Sequence, residues 1–347
     1  MRILSVGSLS GLSNTCLHRH WALQKIADQI DVVNTSVNKC SLWYRIAYHL
    51  FLYGLSVKLP ENNRENQIIK EYIDKNVYDI VWIDKGVSIY PETLRYIKRK
   101  SSETIIVSYS PDNMALRHNQ SQQYLRCIPL YDYIVTNKSY ILEDMKMLGA
   151  KKVIFVNNSY EPSFHYPRKL NENDYSRLGG DIGFVGAWEK ERCDSILYLV
   201  DHGMKVRVFG GGHWLKYKGY SSNLIIEDHG LYNEDYAKSF KAFKISLCFL
   251  RKMNYDRQTT RTVEIPACGG FMLAERTAEH LAMFTEGQEA AYFENDEELL
   301  DKCRYYLSHE DERRKIADAG LQRCISSGYS NEGMIRGVLQ SIHFERK

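Results

Sequence analysis

The feature that most constrains this chain is the repeated alternation of short apolar runs with helical spacings. Ile3-Leu4-Ser5-Val6, Asp31-Val32-Val33, Tyr78 to Asp84, Thr104 to Tyr109, Tyr131 to Thr136 and Lys152 to Val156 read as strands, with helical segments between them, the first from Cys16 to Asp28. Strands alternating with helices in this way build parallel sheets, because each return to a parallel neighbour needs a crossover. The pattern restarts at Asp181 with Ile182 to Val185, then Lys205 to Phe209, Leu224 to Ile226, Ile245 to Leu250 and Phe271 to Ala274. It predicts an α/β fold of two Rossmann-like, doubly wound parallel sheets, and 347 residues are enough for both.

The boundary is legible. From Ser159 to Asp181 the chain is polar, carries Pro162 and Pro167 and has no strong period, as interdomain connections do. The expected division is an N-terminal domain over 1–165, a linker over 166–180, a second domain over 181–328 and a C-terminal segment over 329–347, whose helix from Asn331 to Phe344 can pack back on the first domain.

Charge and cysteine usage exclude several classes. A net charge of +3, without basic runs or a nucleic-acid motif, argues against nucleic acid as a partner. The eight Cys are scattered with no C-x-x-C and no Cys/His cluster, so neither a disulfide framework nor a structural metal is expected. The opening M-R-I-L-S-V-G runs directly into a strand, unlike a signal peptide. No stretch approaches the roughly 20 apolar residues of a membrane span. A cytoplasmic protein is expected.

Chemistry concentrates between Asp256 and Glu275, D-R-Q-T-T-R-T-V-E-I-P-A-C-G-G-F-M-L-A-E, which reads as loop, helix, Gly stop and buried strand. With a helix starting near Thr259, the free N–H groups at Thr259 and Thr260 suit a phosphate or diphosphate. Glu264, deeper along the helix, can accept hydrogen bonds from two neighbouring hydroxyls, as a ribose offers. Asp256 stays in the preceding loop and can approach the same ligand. A nucleoside diphosphate fits this combination.

The segment resembles the C-terminal domain of GT-B-type glycosyltransferases, particularly their group 1-like or spore-maturation-like branch, through R-T-V-E, A-C-G-G-F and the Asp256-to-Glu264 spacing. The family usually has Glu where this chain has Asp256. The resemblance is strongest from about Asp181 to Arg323 and implies a GT-B fold, two domains facing across a cleft. It implies a nucleotide-diphosphate sugar as donor substrate, no other cofactor, and retention of anomeric configuration. Glu264 would then hold the ribose and Asp256 the donor sugar, while Arg261 would neutralise the leaving group or lock Glu264 in a salt bridge. Gly230 and Leu231, after the Leu224 strand, fall in the segment that lines the base pocket.

Two further loops follow from strand ends. Gly186, ending a strand, with Lys190 and Arg192 at the next helix start, is a plausible diphosphate cradle, though both charges could equally lie on an exposed helix face. In the first domain, Gly11, Asn14, Thr15 and His18 follow the first strand and Asp112 follows the fourth. All are candidates for ligand contact, with His18 or Asp112 as the base if the reaction inverts. The plain reading of the same residues is turns and a helix cap. His165 reads as structural. No Asp-x-Asp occurs, which fits metal independence.

The most apolar and aromatic segment, Ser41 to Leu59, predicts a helix that either packs on the sheet or a partner, or lies on a membrane surface against a lipid-linked acceptor. Carbohydrate, lipid-linked and protein acceptors all remain open, in surface polysaccharide, glycolipid or protein glycosylation. A non-catalytic nucleotide-sugar-binding or scaffold protein on the same fold is the alternative. A nicotinamide oxidoreductase is disfavoured, because the first loop lacks G-x-G-x-x-G.

Overall fold

The computed structural model describes residues 1–36, 40–61 and 63–344. The chain divides into two compact units, one of residues 1–157 with 331–347 and one of residues 158–330.

The first unit holds β1 (Arg2–Gly7), β2 (Gln29–Asn34), β3 (Ile80–Asp84), β4 (Ile105–Ser110), β5 (Tyr133–Thr136) and β6 (Val153–Phe155). Its helices are α1 (Thr15–Ile26), α2 (Leu42–Leu52), α3 (Glu65–Lys75), α4 (Pro91–Lys100), α5 (Gln122–Cys127) and α6 (Leu142–Met147). The second unit holds α7 (Glu172–Leu178), β7 (Gly180–Val185), α8 (Lys190–Asp201), β8 (Val206–Phe209), β9 (Leu224–Glu227), α9 (Asn233–Ala242) and β10 (Phe243–Cys248). It continues with α10 (Arg261–Ala267), β11 (Met272–Glu275), α11 (Ala278–Met283), β12 (Ala291–Phe293), α12 (Asp296–Ser308) and α13 (Glu310–Ser326). The last helix, α14 (Asn331–Phe344), belongs to the first unit.

Each unit is built on one sheet of parallel strands, in the order β2-β1-β3-β4-β5-β6 and β12-β11-β10-β7-β8-β9. Strands covered on both faces explain the continuous apolar runs in the sequence: every residue of β3 and of β4 is buried. In the first unit α14 closes one face, placing Ile335, Val338, Leu339 and Ile342 in a core with Ile3, Leu23, Trp82 and Val107. In the second, Ile182, Phe184, Val208, Leu247 and Leu273 of the sheet pack with Ile196 and Leu199 of α8 and Leu299 and Ile316 of α12 and α13.

Two local features depart from the sequence reading. The stretch expected to be an irregular linker contains α7, started by a full capping box in which Asn171 and Asp174 each bond the other's backbone N–H. The central helix starts one or two residues later than expected, with Thr260 as its N-cap and Arg261 as its first residue. It stops as the sequence requires. Gly269 takes φ +75° after the last turn, and the N–H groups of Gly269 and Gly270 satisfy the Pro266 and Ile265 carbonyls.

Candidate active site

The second sheet reverses its winding between β7 and β10, since β8 and β9 extend from β7 while β11 and β12 extend from β10. In an open parallel sheet, ligands bind outside the carboxyl ends of the strands at such a point. The chain leaving β7 there carries Gly186 and Arg192, and the chain leaving β10 carries Arg251, Asp256, Thr259, Thr260, Arg261 and Glu264.

Arg261 connects the two. Its Nε donates to the Val185 carbonyl at the end of β7, at 2.6 Å. Gly186 leaves room for it: a Cβ there would meet the Phe184 ring at 2.8 Å and Arg261 Nη2 at 3.4 Å. Burial pulls the guanidinium pKa down, but the fields of Tyr236 and Glu264 more than reverse this, so the group stays charged. Among the described residues Arg261 forms no ion pair, so the expected salt-bridge lock on Glu264 is not made.

Arg192 is buried on the first turn of α8, where its Nε and Nη1 donate to the Leu250 and Ala187 carbonyls at 3.3 and 3.2 Å. Desolvation depresses its pKa, Glu189 at 3.7 Å opposes this, and Arg261 and Arg251 press it down further. Arg251 reaches the same Glu189 at 3.0 Å. Arg192 and Arg251 therefore share one carboxylate while the Arg261 charge also bears on Arg192, an arrangement an anion would relieve. Lys190 is exposed and paired with Asp194 at 2.5 Å on the outer face of α8, the surface role that the sequence left open for it.

Glu264 is 4 % exposed. Tyr236 donates to its Oε2 at 2.5 Å, and His165 Nε2 stands 3.4 Å from Oε1. His165 Nδ1 accepts the Glu161 N–H at 3.1 Å, so the neutral ring carries its proton on Nε2, towards Glu264. Burial lowers the His165 pKa to about 3, which keeps the ring neutral and fits a structural role. Tyr236 thus takes one of the four lone-pair directions of the carboxylate, with the His165 ring standing beside Oε1.

The start of α10 is held from beneath. The Thr259 N–H donates to Thr262 Oγ1 at 3.0 Å, and the Thr262 hydroxyl donates to His280 Nε2 at 2.9 Å. His280 in turn donates from Nδ1 to the Glu275 carbonyl at 2.7 Å, which fixes its tautomer. The N–H groups of Thr262, Val263 and Glu264 turn back to Thr259 and Thr260. Those of Thr260 and Arg261 stay outside this ladder, and the Thr260 side chain caps nothing. Asp256 is half-buried in the loop, its N–H donating to the Arg251 carbonyl at 3.2 Å.

A cavity of about 710 Å³ opens beside this cluster, lined by Ala187 to Glu191, Gly210 to His213, Lys252 and Met253. The loop after β8 touches the loop after β9, since a Cβ on Gly211 would lie 3.0 Å from the Asp228 carbonyl. Next to this contact sit Gly230, half-buried, and Leu231, buried.

The first-unit candidates lie at the carboxyl ends of its strands. Gly11 makes the turn after β1 with φ +89°. Asn14 caps α1, accepting the Cys16 N–H at 2.9 Å and donating to the Ser8 and Ser10 carbonyls. Thr15 opens the helix, and His18 is buried with Nε2 donating to the Leu12 carbonyl at 2.6 Å. Asp112 pairs with Lys85 at 2.5 Å. Sequence reasoning missed the buried pair between Arg19 and Asp84, bidentate at 2.6 and 3.0 Å, with Arg19 4.2 Å over the Tyr109 ring. The carboxylate ending the apolar run before Lys85 was its available signal. Nothing local announced Tyr236 or His280.

Residues 192–340 match the model of a family described as glycosyl transferase-like. No curated protein matches the chain. Among solved structures, it is similar to Anabaena HepE in complex with UDP-glucose, at 13% identity and a TM-score of 0.63, over 99% of each chain. It is also similar to sucrose-phosphate synthase from Thermosynechococcus elongatus, at 10% identity and a TM-score of 0.69, over 100% of each chain. A glycosyltransferase from Rickettsia africae gives 13% identity and a TM-score of 0.62, covering 98% of this chain and 97% of that one.

Proposed function

We infer, from a GT-B-like fold and the match of residues 192–340 to a glycosyl transferase-like family model, that the chain is a GT-B glycosyltransferase that transfers a sugar from a nucleotide-diphosphate donor to an acceptor hydroxyl. The observation that carries this is the convergence at the switch point of the second sheet of Arg192 and Arg251, which share Glu189, and of Arg261, which is held on the Val185 carbonyl and whose charge bears on Arg192. That HepE was solved with UDP-glucose supports a nucleotide sugar as the ligand class.

In this reading Arg192 and Arg261, with the N–H groups of Thr260 and Arg261, hold the diphosphate and stabilise the charge that develops as the sugar leaves. The cations do the work a divalent metal does elsewhere, so transfer proceeds without one. Glu264 offers its remaining lone pairs to the ribose, oriented by Tyr236 and His165. Gly230 and Leu231 border the base, and Asp256 meets the donor sugar. The leaving phosphate takes the acceptor proton and configuration is retained. The engagement of His18 with Leu12 and of Asp112 with Lys85 favours this over inversion with either as base. The acceptor is a carbohydrate, in the cytoplasm, as part of surface polysaccharide or glycolipid synthesis.

Glu264→Gln tests the reading, because it keeps the buried shape and removes the charge. Donor affinity, measured by titration calorimetry with the nucleotide sugar selected by a thermal-shift panel, is expected to fall about 10- to 100-fold, the range of a hydrogen bond to a charged group. Unchanged affinity with the fold intact would take Glu264 out of the site. Selective binding of one nucleotide-sugar series with slow nucleotide release supports transfer, and binding without turnover in the presence of acceptors would point to the non-catalytic alternative.

A further inference from the structure

Helix α2 carries apolar side chains on its open side, beside the exposed Arg45 and His49, as well as on the side the fold covers. Of its eleven residues just Ala47 and Phe51 are buried. Phe51 is held by Arg117, whose guanidinium lies 4.1 Å over the ring and whose Nε donates to the Phe51 carbonyl at 2.6 Å. Tyr48 anchors the same side by donating to the His118 carbonyl at 2.6 Å. On the open side Leu42 is 72 % exposed, Trp43 58 % and Ile46 41 %, and Tyr53 and Leu55, just past the helix, are 86 % and 53 % exposed. An ordinary surface helix turns polar residues outward. Packing on the sheet, one of the two fates the sequence allowed, therefore accounts for only half of this helix.

The charges around the apolar face have one sign. Between Asp31 and Glu61 the sequence contains no carboxylate, while Arg45 and Lys58 are exposed there and Arg64 and Arg117 flank the element. The nearest acids are turned to other partners: Glu61 accepts from Asn66 and Glu65 from the Asn63 N–H. Exposed Trp and Leu on a segment whose own charged residues, Arg45 and Lys58, are all cationic complement an interface that is apolar inside and anionic at its surface. Among the described residues no helix is long and apolar enough to cross a membrane, so contact would be with one leaflet.

We propose that α2 and the Tyr53 to Leu55 turn dock this protein on an anionic membrane surface, with Leu42, Trp43 and Ile46 in the interfacial layer and Arg45 and Lys58 at the headgroups. This goes beyond the transfer reaction, and it stands or falls separately from donor binding.

The test is flotation of the full-length protein with vesicles of phosphatidylcholine alone and of phosphatidylcholine and phosphatidylglycerol in equal parts. Binding is expected to the anionic vesicles, weakening with salt. The double variant Trp43→Ser, Ile46→Ser should reduce it at least about tenfold, since each side chain withdraws apolar area from the bilayer, with the melting temperature unchanged because both residues are exposed. Met147→Ser, which removes an apolar residue 79 % exposed elsewhere in the same unit, should change nothing. No binding to anionic vesicles, or equal binding by the double variant, would overturn the proposal. So would a dimer in light scattering that the double variant dissolves, since a second copy would then be the occupant. Donor affinity measured on the same variant should be unaffected, which separates a failure here from a failure of the transferase reading.

Discussion

The two units carry nearly the same sheet and treat its carboxyl ends in opposite ways. In the first, the charges near the switch between β1 and β3 are cancelled: Asp84 takes Arg19 in a buried fork, and Asp112 takes Lys85. In the second, Arg192 and Arg261 are fixed by backbone carbonyls, which position a guanidinium without neutralising it, and the one carboxylate paired with Arg192, Glu189 at 3.7 Å, is shared with Arg251. A fold that concentrates ligands at one edge does not decide what binds there. The balance of charge left at the edge does, and the proposed reading puts the diphosphate at the second unit for that reason.

The comparison is sharpest for substitutions that remove one arginine from each side. Arg19→Met leaves Asp84 buried without its partner, and breaking a buried pair in this way costs about 3–5 kcal/mol of stability. Chemical denaturation followed on the first unit should show this loss, while the affinity of folded protein for nucleotide sugar stays the same. A loss of donor affinity in the folded variant would mean that the Arg19–Asp84 pair belongs to the donor site after all. Arg261→Ala should behave in the reverse manner. Removing one preorganised charge-stabilising donor lowers turnover about 100- to 1,000-fold, with a smaller change in melting temperature because the buried Glu264 feels the Arg261 charge without forming an ion pair with it. A turnover loss below tenfold would place the leaving-group charge elsewhere.

Acid tests the second unit in another way. His165 and His280 of the second unit are both held neutral by burial, His165 down to about pH 3. Below the ordinary imidazole pKa of 6.5 the unfolded chain takes up protons that the folded site refuses, so the unfolded state gains. The contribution of His165 is complete above pH 6.5, and is lost progressively as the pH falls from there towards 3, amounting to roughly 2 kcal/mol by pH 5. Hydrogen exchange at pH 7 and pH 5 should show the amides around Glu161, His165 and Glu264 losing protection. Unchanged protection in that region would mean that the ring accepts its proton without cost.

How much of this was readable from the sequence depends on how local each feature is. The sheets were legible because buried parallel strands are continuous apolar runs, and α10 because its Gly stop and polar start stand in one short stretch. The strand β12 escaped because three residues, Ala291, Tyr292 and Phe293, carry no period. The helix α7 escaped because its seven residues sit in polar sequence whose only signal is the Asn171 and Asp174 capping box. Within the candidate site, Arg192, Arg261 and Glu264 belong to local motifs and could be proposed from them. Tyr236 reaches Glu264 across 28 positions, and Arg19 reaches Asp84 across 65, and no local pattern encodes such pairings.

The smallest expected effect tests the boundary of the site itself. Lys190 and Arg192 are near neighbours at the start of α8, both basic and both plausible phosphate ligands by sequence. The helix separates them, burying Arg192 beside Leu250 and Ala187 and leaving Lys190 73 % exposed on Asp194. An exposed pair four residues apart on a helix contributes little and is weakened further by salt. Lys190→Ala is therefore expected to change donor affinity by less than about twofold, whereas Arg192→Ala acts on the same binding isotherm as Arg261→Ala does. If Lys190→Ala instead weakens the donor as strongly as Arg192→Ala, Lys190 must leave Asp194 on binding, and the positive edge of the second unit would extend onto the outer face of α8.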